Sequence, residues 1–90
     1  MPLAEKIKQI LKEKFQPYLI EVLDDSRQHS GHPEAVKSQG GHFRLMIVSE
    51  RFEGKTLIER HRMVYAALAE LKDKIHALAI RAVTKKKFQR

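Results

Sequence analysis

Apolar residues recur at helical spacing near the start of the chain. Leu3, Ile7, Ile10, Leu11 and Phe15 fall on one side, with Lys6, Lys8, Lys12 and Lys14 mostly on the other. Pro2 suits a first helical turn. Pro17 ends the helix, since it has no N–H to give and disfavours helix at Gln16. The period then changes. Residues 18–23 are aliphatic and β-branched and predict a strand with apolar residues on both faces. Residues 24–41, DDSRQHSGHPEAVKSQGG, show no apolar period and read as a long loop, a kind that is often functional. In 42–49, Phe43, Leu45 and Ile47 alternate with Arg44, Met46 and Val48, which predicts a second strand antiparallel to the first.

Residues 51–71 turn at Gly54 and continue as the longest helical pattern. Leu57, His61, Val64, Leu68 and Leu71 form a stripe that Ile58 and Tyr65 widen, while Glu59, Arg60, Arg62 and Glu70 lie opposite. Thr56 stands where an N-cap belongs and Glu59 three residues later, as in a capping box. A break near 55–58 can divide this segment into a short and a long helix. His61 falls on the apolar stripe, so it is expected to be a largely buried structural residue with a hydrogen-bonded ring nitrogen. In 75–84, His76, Leu78, Ile80 and Ala82 alternate with Ala77, Ala79, Arg81 and Val83. This third strand follows a helix and should return parallel to its neighbour by a right-handed crossover. Residues 85–90 form a basic tail from which Phe88 can pack back. The sum is one α+β domain over 1–90, a three-stranded mixed sheet with helices on one face.

Composition narrows the function. No apolar run approaches the roughly 18 residues of a membrane span, and with no apolar h-region or cleavage site near the start, no secretory signal is expected. The chain has no cysteine, which excludes disulfides, thiol catalysis and thiolate metal sites within it and fits a cytoplasmic protein. The net charge of +7 is segregated: residues 1–50 are balanced, and residues 51–90 carry the whole excess. A segregated basic surface suits an anionic partner such as nucleic acid, although many such surfaces are only solvated.

Catalytic patterns are lacking. No serine stands in a nucleophile elbow, Asp24 and Asp25 are adjacent and point apart, and the glycines form no phosphate loop, so an enzyme is not expected. Histidine is the unusual feature, with five in 90 residues. His29, His32, His42 and His76 lie in the long loop or at strand beginnings. Two imidazoles offered to a shared metal centre, with thiolates from a partner, are more plausible than a complete site from this chain. Surface histidines without a metal are the ordinary alternative.

Three runs carry a resemblance. Val48-Ser49-Glu50-Arg51-Phe52-Glu53-Gly54, Arg60-His61-Arg62-Met63-Val64-Tyr65 and Ile75-His76-Ala77-Leu78-Ala79-Ile80 resemble the BolA family, and Asp25-Ser26, His29 and Gly41-His42-Phe43-Arg44 extend the likeness over nearly the whole chain. The resemblance implies an αββαβ fold akin to the class II KH topology, with 24–41 as the variable loop. It implies a monothiol glutaredoxin as partner and a 2Fe–2S cluster shared with it and with glutathione, none being expected in the isolated chain. The roles implied are iron–sulfur assembly and trafficking, and iron or stress regulation. The family's C-terminal histidine corresponds to His76. Its loop ligand corresponds to His29, with His32 and His42 as alternatives. Some bacterial members are described as stress-responsive morphogenes and DNA-binding regulators, so duplex DNA is the alternative partner, met by Arg60, Arg62, Lys85, Lys86 and Lys87. The lysine run departs from the acidic tail of many relatives. No GXXG clamp occurs, so RNA binding in the KH manner is not expected. A monomer or weak homodimer, away from membranes, is expected.

Overall fold

The computed structural model describes residues 2–25 and 41–88. Helix α1 (Leu3–Phe15) buries Ile7, Leu11 and Phe15, the inward positions of its apolar period. It ends at Gln16, which takes a left-handed conformation (φ 47°) and donates its N–H to Lys12 O at 3.0 Å. Pro17 then bars any return to helix.

Three strands form one sheet in the order β1-β2-β3. Strand β1 (Leu19–Asp24) pairs antiparallel with β2 (His42–Val48), and β3 (Ala77–Val83) pairs parallel with β2. Both pairings are the expected ones, and the strand ends differ from expectation by one or two residues. Central β2 buries Phe43, Leu45 and Ile47 against the helices, and Leu78, Ile80 and Ala82 of β3 join that face. On the other face Arg44, Ala77, Ala79 and Arg81 are exposed. Burying each large apolar side chain contributes roughly 1.5–3 kcal/mol before entropy is charged against it.

A single 3-10 turn (Glu50–Phe52) follows β2 and drops Phe52 into the core, its ring 5.0 Å from that of Phe15. Helix α2 (Leu57–Ala67) starts at a complete capping box. Thr56 Oγ1 accepts from Glu59 N at 3.1 Å, and Glu59 Oε1 accepts from Thr56 N at 2.8 Å. A second 3-10 turn (Ala69–Leu71) carries Leu71 into the core. The short helix α3 (Lys85–Phe88) closes the described chain, and Phe88 packs edge-on against Tyr18 at 6.4 Å.

The face that α2 buries corrects one expectation. Leu57 and Ile58 are 64% and 65% exposed, and Tyr65 is largely exposed as well. The inward set is Arg60, Met63, Val64, Ala67, Leu68 and Leu71, a helical repeat that begins on a charged residue. The helix is therefore rotated from the stripe read through Leu57 and His61. Among the described residues no helix is long and apolar enough to cross a membrane.

Candidate functional site

Gly41 organises the end of the sheet where β2 and β3 begin. Its φ of +82° is open to glycine at little cost, and its carbonyl accepts the N–H groups of His76 (2.8 Å) and Ala77 (2.9 Å). A Cβ here would run into the main chain, meeting Lys74 O and, at 2.7 Å, His76 N. This close approach sets His76 beside His42. Their ring centroids are 5.0 Å apart with the planes tilted by 38°. His42 is half-buried and pairs in register with Ala77, while His76 is exposed. On the other flank Asp25 N donates to His42 O at 2.7 Å, and Asp25 Oδ2 accepts from Arg44 Nε at 3.0 Å.

Of the proposed ligands, His76 and His42 are thus brought together. His29 and His32 lie outside the described residues. Among the described residues no group of three or more His, Asp or Glu is placed to hold a metal ion. The arrangement is a two-imidazole pair open on one side. Its donor chemistry fits a centre completed from elsewhere, since two imidazoles can fill the terminal positions on one iron of a 2Fe–2S cluster. No cysteine of this chain could supply the rest.

His61 departs from expectation. It is only half-buried as a residue, and its Nε2 is buried with no hydrogen-bond partner among the described residues. The helix rotation explains this, since His61 sits beside the inward face instead of on it.

The basic residues divide into two groups. Arg60 turns to the backbone, with Nε donating to Lys55 O and Nη1 to Ala82 O, both at 3.0 Å. Arg62 is exposed on α2. Lys85, Lys86 and Lys87 are exposed on α3, at the end of the sheet opposite the histidine pair. Lys85 Nζ stands 4.5 Å from the Tyr18 ring centroid. The Glu59 carboxyl lies below its usual range, chiefly because it accepts the Thr56 N–H.

Sequence reading gave no role to Ser49. It is 1% exposed, donates Oγ to Phe15 O at 2.8 Å and accepts Arg51 N at 3.1 Å. A serine at a strand end, itself the N-cap of the turn that follows, was the available signal.

The sequence matches the family profile described as BolA-like protein over residues 11–87. The chain belongs to the BolA family. It is 40% identical over 90 residues to the DNA-binding transcriptional regulator BolA of Escherichia coli K12, covering 99% of this chain and 82% of that protein. Among solved structures, BolA1 from Arabidopsis thaliana superposes with a TM-score of 0.82 at 33% identity, over 97% of this chain and 96% of that one. The BolA domain of SufE1 from the same plant gives 0.82 at 39% identity with the same coverage. The BolA fold is therefore shared along the length of the chain.

Proposed function

We propose that this BolA-like chain is a binding and assembly protein, without catalytic activity of its own. It would co-ligate a 2Fe–2S cluster bridged to a monothiol glutaredoxin in iron–sulfur trafficking and iron or stress regulation. The observation that carries this reading is the exposed His76 ring held beside His42 by main-chain bonds through Gly41. His76 serves as one ligand. The second comes from His29, with His32 and His42 as alternatives, and His42 is the one already in ring contact. The cluster supplies electron storage and transferable iron and sulfide. The chain's part is to hold nitrogen donors at a fixed end of a rigid sheet and to leave the thiolates to the partner's cysteine and glutathione. An imidazole must give up its proton to ligate, so assembly weakens as the solution is acidified.

The test mixes the protein with a monothiol glutaredoxin, iron, sulfide and glutathione and records visible absorption and circular dichroism. His76→Ala should abolish the heterodimer's cluster spectrum, and an unchanged spectrum would falsify the assignment. The second ligand is whichever of His29→Ala, His32→Ala and His42→Ala has the same effect.

A second reading, a DNA-binding regulator, is favoured by the name of the Escherichia coli relative and by the exposure of Arg62, Lys85, Lys86 and Lys87. Phosphate contacts would then dominate affinity. Fluorescence anisotropy on duplex DNA at two salt concentrations should show a steep loss of binding. Binding without sequence preference reduces this reading to nonspecific attraction.

A further inference from the structure

At the far end of the sheet a cleft of about 380 Å³ opens between the end of α1 and the residues that leave β2 and β3. Ser49 ties its walls together through the two bonds to Phe15 O and Arg51 N. Arg51 lines the cleft, and its Nη2 donates to Gln16 Oε1 at 3.1 Å. Lys85 also lines it and is steadied by the ring of Tyr18. Among the described residues that line the cleft, Arg51 meets a neutral amide and Lys85 an aromatic ring, and Glu50 supplies the one carboxylate. Two cations against one carboxylate beside a fixed concave wall leave a net positive charge that favours an anion, and a guanidinium favours an oxyanion in particular.

Size and a third group refine the ligand. At roughly 30 Å³ per water, the cleft holds about a dozen water volumes, far more than a bare phosphate needs. Glu50 lines it as well. A carboxylate repels a naked dianion, but it accepts hydrogen bonds from hydroxyl groups. We propose that Arg51 and Lys85 bind the phosphate of a hydroxylated phosphate ester, a sugar phosphate, while Glu50 accepts from its hydroxyls. The ester can arrive as a free sugar phosphate or as the 5′-phosphorylated end of a ribonucleotide chain. Strands β2 and β3 put roughly 20 Å between this cleft and the histidine pair, at about 3.3 Å per residue. The cleft is therefore separate from the histidine pair.

Titrating the isotopically labelled full chain with ribose 5-phosphate, and separately with ribose and with inorganic phosphate, tests it by NMR. Ribose 5-phosphate should give saturable amide shifts at Ser49, Glu50, Arg51 and Lys85, with affinity about tenfold or more above either fragment. Lys85→Ala and Arg51→Ala should each weaken it about tenfold, the loss expected of one charge-assisted contact. Arg51→Lys keeps the charge and guards against a folding defect in Arg51→Ala. Glu50→Gln should retain phosphate binding but lose the preference for the sugar ester. A 5′-phosphorylated oligoribonucleotide that binds more than about tenfold tighter identifies a nucleic-acid end as the source, and equal affinity identifies the free ester. The proposal is overturned if no saturable shift occurs, if inorganic phosphate binds as well as the ester, or if Lys85→Ala and Arg51→Ala bind like the parent.

Discussion

His61 Nε2 is a buried polar atom with no hydrogen-bond partner among the described residues, and such an atom costs roughly 1–3 kcal/mol in lost hydration. His61→Leu removes that cost while filling a similar volume. It should raise the stability in urea denaturation by about 1 kcal/mol, whereas His61→Ala should lower it by about as much through lost packing. A loss from His61→Leu would mean that the nitrogen is satisfied in solution. Glu59 makes a second prediction. Its carboxyl titrates below the usual carboxylate range, first because it accepts the Thr56 N–H, so folding favours the ionised form. That stability is present above the unfolded-state value and is lost as the pH falls through the lowered folded value. Glu59→Gln should therefore flatten the acid limb of thermal stability, and melts carried from neutral into acid conditions check it. Single residues were legible where the signal is local. Thr56 and Glu59 stand three apart and formed the box expected of them. The partnership of His42 with His76 was not legible, because it depends on the parallel register of two strands and on the backbone of Gly41.

Among elements, β3 lies at an edge of the sheet, where outward carbonyls invite pairing with another chain. Helix α2 answers two of them. Arg60 Nη1 caps Ala82 O at 3.0 Å, and the Tyr65 hydroxyl reaches Leu78 O at 3.4 Å. Arg60→Ala should cost about 1–3 kcal/mol and raise light scattering on heating, since it orphans the half-buried Ala82 contact and frees the edge. Its neighbour Arg62 is exposed and makes no such bond among the described residues, so Arg62→Ala should change stability by less than about 0.5 kcal/mol. Equal melting of the two variants would contradict this division. The strands and α1 were legible because their periods are clean and Pro17 punctuates them. The rotation of α2 was not, because its inward repeat starts at Arg60. A charged residue there reads as the solvent face until the carbonyls that receive its guanidinium are known.

At the scale of the molecule, the two ends of the sheet differ in chemistry: an imidazole pair at one, cations around a cleft at the other. The charge segregation toward residues 51–90 was visible in the sequence, but its concentration beside Ser49 needed the folded ends of β2 and β3. Gly41→Ala tests how far one backbone position governs the histidine end. It forces a positive φ on an L residue and a clash with main-chain atoms that cannot rotate away. It should destabilise the domain by about 2–4 kcal/mol in chemical denaturation and separate the His42 and His76 ring signals in NMR spectra. The same architecture has a consequence for biosynthesis. Helix α2 must cross over before β3 can lie beside β2, so the two imidazoles meet only after that strand has docked. A nascent chain that has emerged as far as β2 exposes His42 without its companion. Translation thus acts as a timer on the imidazole pair: an unfinished polypeptide leaving the ribosome lacks it, and only the completed fold presents both rings together.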